Sequence, residues 1–382
     1  MARSIGWRAG ALAATIVTAS PALAEDYKPV ACTAHQLWQG RPLHAPVTPV
    51  LEGAIPETAL PSATAAQLDS LFDTMRSAAR AQALGIAVGR TGEGLWSRIE
   101  APAGKRLWWA SAGKTFVAVV VLQLAEEGKL SLDDSASRWI KGVPNGDAVT
   151  VRDLLAHTSG VFSANEDLRI RAKPHYLPPA ETLAILRRHG AMFCPGSNWR
   201  YSNSGYDLLA MIVEAVDRRP LPEAIAARIA KPLGLTSIVA LRAGQPTPDV
   251  VPPALSSGTP IDVSTVGAGG PIAGDPADMV RFWSALLGGR LLRPATMNQM
   301  FGQLHPMFDP GTWYGLGVMV LDVTDGARTD IWLGHAGGAP GASAMLAWSP
   351  ADRTIVAVAL TGDGPAAAVA NAVLKSLRAP LR

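Results

Sequence analysis

Cysteine is nearly absent from this 382-residue chain, which carries only Cys32 and Cys194. Two thiols are too few for a disulfide-built scaffold, and with histidines scattered along the chain they suggest no dedicated metal site. In an oxidising compartment the two could pair, and the bridge would pin an N-terminal segment onto a body that folds for other reasons. An excess of charge of one sign is also missing. The 34 basic and 31 acidic residues are spread along the chain, without the clustered basic stripe that a nucleic-acid surface needs, so nucleic acid is not an expected partner. No apolar run approaches the ~20 residues of a spanning helix, which argues against a stable membrane span. What the chain does have is 48% hydrophobic residues, enough for a full-sized core in one large domain or two intimately packed lobes.

Arg3 and Arg8, the small-apolar run from Ala11 to Ala19, and Ala22-Leu23-Ala24 read as a secretory signal peptide over residues 1–24. A short membrane anchor is the alternative, and the run is too brief for it. The expected location is therefore periplasmic or secreted. Residues 25–63 form a strap in which prolines recur from Arg41 to Pro61 and discourage regular structure. The remaining chain, 64–382, reads as one catalytic-sized domain. Leu68, Leu71, Phe72 and Met75 fall on one face of a helix expected to cover a sheet. "LGIAVGR", "TGEG" and "LWSRIE" predict a β-hairpin. Phe116 to Ala125 is apolar on every side and predicts a helix surrounded by protein.

Helical patterns then dominate to about residue 300, including Ala180 to Arg188, Tyr206 to Val216 and Ala277 to Leu287, the last with Asp275 as cap and Pro276 at its first position. Strand patterns resume in "WYGLGVMVLD", "TDIWLGH", "ASAMLAWS" and "TIVAVAL", before an alanine-rich closing helix. The order predicts an α+β fold: an antiparallel sheet built from both chain ends, flanked by helices, with a large inserted all-helical lobe at about 116–300.

The chemistry turns on "LWWASAGKTF". A phosphate-binding loop would need glycine where Trp108 stands, five residues before Gly113. The alternative is S-x-x-K, with Ser111 and Lys114 on one helix face. Serine needs a base, and a lysine serves only if burial lowers its pKa from ~10.4 towards ~7 to 8; a helix buried all round supplies that. A helix N-terminus also directs backbone N–H groups at a developing oxyanion. Of the chain's lysines, only Lys114 has a serine three residues before it. "WRYSNSGYDLL" adds Y-x-N: Tyr201 could relay a proton, and Asn203 could bond both lysine and a substrate carbonyl, a turn tyrosine and a helix-capping asparagine being the plainer reading. "LGHAGGAPGAS" adds His335-Ala336-Gly337 at the predicted end of a strand, where a free backbone N–H could complete an oxyanion hole. No G-x-S-x-G elbow occurs, against an α/β-hydrolase. His157 in "LLAHTSG" reads as a helix-terminal histidine rather than a triad partner of Ser159.

S-x-x-K, then Y-x-N, then H-x-G in a C-terminal strand resembles the serine β-lactamase and penicillin-binding-protein superfamily, in its class C-like branch. "EEGKLSLDDSASRWI", "VTVRDLLAHTSGV", "FCPGSNWRYSNSGYDLLAMIVE", "KPLGLTS" and "GAGGPIAGDPADMVRFWSALLGG" are similar to connecting segments of that family, from about Gly85 to Leu374. The resemblance implies a cofactor-free acyl-enzyme mechanism. Ser111 would attack, Lys114 and Tyr201 would share its proton, and Asn203 would orient lysine and substrate. The N–H groups of Ser111 and Gly338 would form the oxyanion hole beside Gly337. One departure matters: His335 and Ala336 stand where family β-lactamases carry Lys-Thr. The chain thereby resembles the family's esterases, D-aminopeptidases and carboxypeptidases more than its β-lactamases, and lacks the Ser-Asp-Asn of the class A branch. The expected activity is that of an exported serine hydrolase on a small-molecule ester, amide or D-amino-acid peptide. The alternatives are a class C-type β-lactamase and a penicillin-binding sensor without turnover.

Overall fold

The computed structural model describes residues 27–324 and 330–378; the expected signal peptide lies outside them. The strap to residue 61 has almost no regular structure and is held by isolated bridges, Val30 to Ala191, His44 to Leu304 and Ala59 to Leu95. Cys32 and Cys194 form a disulfide that ties it to the body.

Helix α1 (Ser62–Ala78) buries Leu68, Phe72 and Met75. Strands β1 (Ala83–Arg90) and β2 (Gly94–Glu100) form the expected hairpin, and β3 (Leu107–Trp108) leads through a 3₁₀ turn, Ala110–Gly113, into α2 (Lys114–Glu126). The insert follows with α3 (Val151–Ala156), α4 (Leu168–Ala172), α5 (Pro179–His189) and α6 (Asn203–Asp217). Next come α7 (Leu221–Ile225), a π-helical turn and α8 (Lys231–Leu233). It is not wholly helical: β5 (Ile272–Gly274) pairs with β3 on one side and with β4 (Val239–Ala240) on the other, giving a three-stranded sheet. These segments are too short to show a strand period, and backbone pairing with neighbouring strands decides their conformation. The insert ends with α9 (Pro276–Leu287) and α10 (Pro294–Met300). Asp275 occupies the cap position of α9, but its side chain makes no capping bond.

The C-terminal part supplies β6 (His305–Pro306), β7 (Thr312–Tyr314), β8 (Met319–Asp322), β9 (Ile331–Ala339), β10 (Ala342–Ser349), β11 (Thr354–Thr361) and α11 (Ala366–Leu377). "WYGLGVMVLD" is thus two strands, β7 and β8, parted by the turn around Gly315 to Gly317. The main sheet has eight strands in the order β2-β1-β11-β10-β9-β8-β7-β6, every neighbouring pair antiparallel. Pairing of β1 with β11, from Ala83 opposite Thr361 to Arg90 opposite Thr354, joins the two ends of the chain.

Both faces of the sheet are covered, which is why β11 reads as a continuous apolar run. Leu84, Ile86 and Val88 with Val356, Val358 and Leu360 pack in the core shared with α1 and α11. Ala83, Ala87, Ile355, Ala357 and Ala359 face the insert. At the heart of the insert α2 is buried nearly all round, and Phe116 stacks on Phe282 of α9 with ring centroids 3.7 Å apart. Phe116→Ala is expected to lower stability by about 3–5 kcal/mol through lost transfer energy and the cavity left behind. Urea denaturation checks this, and a loss below about 1 kcal/mol would contradict tight packing of α2 against α9.

Candidate active site

Ser111 lies on the 3₁₀ turn just before α2, not within the helix's first turn. The turn is clamped from one side: the Trp108 indole N–H donates to the Gly270 carbonyl at 2.8 Å, the Trp109 indole to Gly274 at 3.0 Å, and the Trp109 backbone N–H to Ile272 at 3.0 Å. The two tryptophans that exclude a phosphate loop therefore anchor the serine turn to β5 and its approach. Ala110, immediately before Ser111, has φ 45°, a left-handed conformation costing an L-residue about 1–2 kcal/mol that these clamps must offset.

Lys114 begins α2 and is fully buried. Its Nζ donates to Ser111 Oγ at 3.1 Å, to Asn203 Oδ1 at 2.7 Å and to the Gly269 carbonyl. Burial pulls its pKa down to about 7, opposed by the Asp207 carboxylate. Near neutrality a neutral amine is therefore accessible. Such an amine can keep its two N–H bonds on Asn203 and Gly269 and turn its lone pair to the Ser111 hydroxyl. The Gly269 backbone comes so near that an added Cβ would lie 2.8 Å from Asn203 Oδ1.

Ser202 caps α6, accepting the Gly205 N–H, so Asn203 is free for other bonds. Its backbone N–H donates to Ser163 Oγ at 3.0 Å and its Nδ2 to Asn165 Oδ1 at 3.1 Å, which aims Oδ1 at Lys114. The Tyr201 ring lies 4.8 Å from Lys114 Nζ. Its hydroxyl is buried without a partner of ordinary hydrogen-bond geometry among the described residues. Burial raises the phenol well above its usual pKa, with the Ser111 hydroxyl acting against that rise, so Tyr201 is a neutral phenol throughout the physiological range.

"HAGG" lies inside β9, which continues to Ala339, rather than at a strand end. Its glycines serve close approach, not a turn: a Cβ on Gly337 would lie 2.4 Å from the Trp109 carbonyl and 3.1 Å from Ala112 N. β8 pairs with β9 only up to Gly334, leaving the later edge of β9 without a neighbouring strand. The Ala336 N–H points to that edge, at Met319 Sδ, and alternation along a strand puts the Gly338 N–H there too. His335 is fully buried. Its Nδ1–H donates to the Ala336 carbonyl at 2.6 Å and its Nε2 accepts the Tyr314 hydroxyl at 2.9 Å. Burial, then the nearby Lys114, depress its pKa to about 3, so it is neutral at neutral pH and supplies no cation.

Three contributors escaped the motif reading. Gly269 acts through a carbonyl, which leaves no side-chain signature. Asp207, one helical turn beyond Asn203, accepts the Ala268 N–H at 3.0 Å and steadies the loop that presents Gly269; burial raises its carboxyl to about 6. The i, i+4 spacing of Asn203 and Asp207 was the available clue. Tyr314 was unremarkable until β7 placed it beside His335.

An antiparallel sheet with a helical insert, and a buried lysine bonded to a serine one turn before it, define a protein of the β-lactamase-like fold class. The chain belongs to the Beta-lactamase family, whose profile matches residues 68–379. It is 27% identical over 264 residues to penicillin-binding protein 4* of Bacillus subtilis (strain 168), covering 62% of this chain and 56% of that one. It is 31% identical over 203 residues to esterase EstB of Burkholderia gladioli, covering 45% and 50% respectively. The chain thus spans about half the length of these curated relatives. Among solved structures, a D-stereospecific amidohydrolase from Streptomyces sp. superposes with TM-score 0.70 at 29% identity, over 83% of this chain and 99% of that one. Among the described residues no helix is long and apolar enough to cross a membrane.

Proposed function

We propose that the protein is an exported serine hydrolase that cleaves small esters or D-amino-acid amides and peptides through an acyl-enzyme on Ser111. The observation that carries this is Lys114: a fully buried amine, bonded to Ser111 Oγ, with its pKa brought to about 7. Ser111 Oγ attacks the carbonyl carbon while its proton passes to neutral Lys114, directly or across the Tyr201 hydroxyl. The oxyanion rests on the Ser111 and Gly338 N–H groups. The bond from carbonyl carbon to the leaving oxygen or nitrogen then breaks, and the proton held by Lys114 and Tyr201 goes to that atom. A water attacks the acyl carbon as its proton passes to the same pair; the bond from that carbon to Ser111 Oγ then breaks, and Oγ takes the proton back, freeing the acid and the serine hydroxyl. The likeness to an esterase and to a D-stereospecific amidohydrolase supports this substrate range. Neutral His335 offers a substrate carboxylate no charge partner, which sets β-lactam hydrolysis second.

Labelling with a fluorophosphonate tests the reading. Wild type is expected to label at a rate that rises with pH through about 7, because Lys114 below its pKa is an ammonium and has no lone pair for Ser111. Ser111→Ala is expected not to label. Equal, weak labelling of both proteins at all pH values would sink the proposal. Intact mass after addition of p-nitrophenyl butyrate separates turnover from a sensor role, since a persistent acyl adduct marks the latter.

A further inference from the structure

His157 ends α3 in the left-handed region, φ 63° and ψ 29°, a conformation for which glycine or asparagine is the usual choice. The chain places a buried histidine there instead, 1% exposed. Its backbone carbonyl accepts the Arg200 N–H at 3.0 Å, and its Nδ1 accepts the Ser202 N–H at 3.2 Å. These two bonds fall on the residues on either side of Tyr201. The imidazole lies against the Tyr201 ring, centroids 4.2 Å apart, and is closed in by Tyr314 at 4.6 Å and Tyr206 at 5.2 Å. Because Nδ1 is an acceptor, the ring proton sits on Nε2, and that buried atom has no partner among the described residues. A capping role alone would explain the backbone bond to Arg200; it would not explain an imidazole held in one tautomer against the phenol.

We infer that His157 is the positioning residue for Tyr201, grasping the chain on both sides of it and backing its ring so that the phenol faces Ser111 and Lys114. This rests on the acid–base role proposed for Tyr201. His157 itself touches no substrate and exchanges no proton.

Asparagine at this position tolerates the left-handed backbone and brings Oδ1 close to where Nδ1 stands, so it keeps the Ser202 bond and loses the ring. Glycine relaxes the backbone and loses both. With p-nitrophenyl butyrate as substrate, His157→Asn is expected to lower kcat by about tenfold and His157→Gly by about a hundredfold, KM changing by less than about threefold, as for a catalytic group displaced by ~1 Å. Each substitution is then added to Tyr201→Phe. If His157 acts through Tyr201, neither lowers kcat further in that background.

The same fold-loss with and without the Tyr201 hydroxyl would overturn the proposal, as would a wild-type kcat for His157→Gly. Should the glycine variant not fold, the asparagine cycle decides alone, since it retains the cap geometry. A wild-type rate for Tyr201→Phe is a separate result: it removes the acid–base role of Tyr201, and the positioning role with it.

Discussion

Lys114→Met is expected to lower kcat for p-nitrophenyl butyrate by about 10²–10⁴-fold, the usual worth of a positioned base, while KM stays within a few-fold. Methionine nearly fills the volume of the buried lysine stem, so the packing around α2 survives and the loss reports chemistry. Asn203 keeps its bonds to Ser163 and Asn165 in the variant, so its amide is still held in place. His335→Ala is expected to cost less than about tenfold on the same ester, because a neutral, enclosed imidazole bonded to Tyr314 and Ala336 presents neither charge nor proton to the reaction. Steady-state kinetics on the two variants decides the assignment. Losses of equal size would mean that the roles of base and scaffold have been wrongly divided between Lys114 and His335.

Gly337→Ala is expected to lower kcat by about a hundredfold and stability by about 1–3 kcal/mol. A methyl group there would meet the Trp109 carbonyl at 2.4 Å and Ala112 N at 3.1 Å. Both are backbone atoms of the serine turn, itself clamped by the two tryptophans, so no flexible side chain can give way. β9 must then lift from the turn, parting the Ser111 and Gly338 N–H groups whose spacing the oxyanion hole requires. Thermal melting together with kcat tests this. An alanine variant with wild-type kcat would show that β9 is not the wall opposing Ser111.

The architecture was readable wherever burial on both faces or on one stripe left a periodic record, as in β1, β11, α1 and α6. The S-x-x-K and Y-x-N residues were readable because what brings them together resides in side chains at fixed spacings. Misreadings share a cause: tertiary pairing overrides a local pattern. Glycines at 337 and 338 look like a turn, yet they lie within β9 because they pair with Ala344 and Ser343 of β10, and the serine turn pressing on Gly337 leaves no room for a side chain there. β5 exists only as a partner of β3, and β4 only as a partner of β5. The 3₁₀ turn at Ser111 displaces the start of α2 to Lys114, where clamping by Trp108 and Trp109 competes with helix propensity. Gly269 could not be found from sequence at all, since any residue carries the carbonyl it contributes and only its closeness to Asn203 selects glycine.

The seam between β1 and β11 also orders events in the life of the chain. Helices α2 to α9 can begin to form on contacts made within the insert. β9, which brings Gly337 and Gly338 to Ser111, takes its place in the sheet between β8 and β10, and β1 finds its partner only when Thr354 to Thr361 have been synthesised. Such distant pairing is slow and leaves β1 with an open edge in the interval. The strand that lies against the serine turn is thus among the last parts to be assembled, and a nascent or C-terminally shortened chain holds Ser111 and Lys114 without β9 beside them.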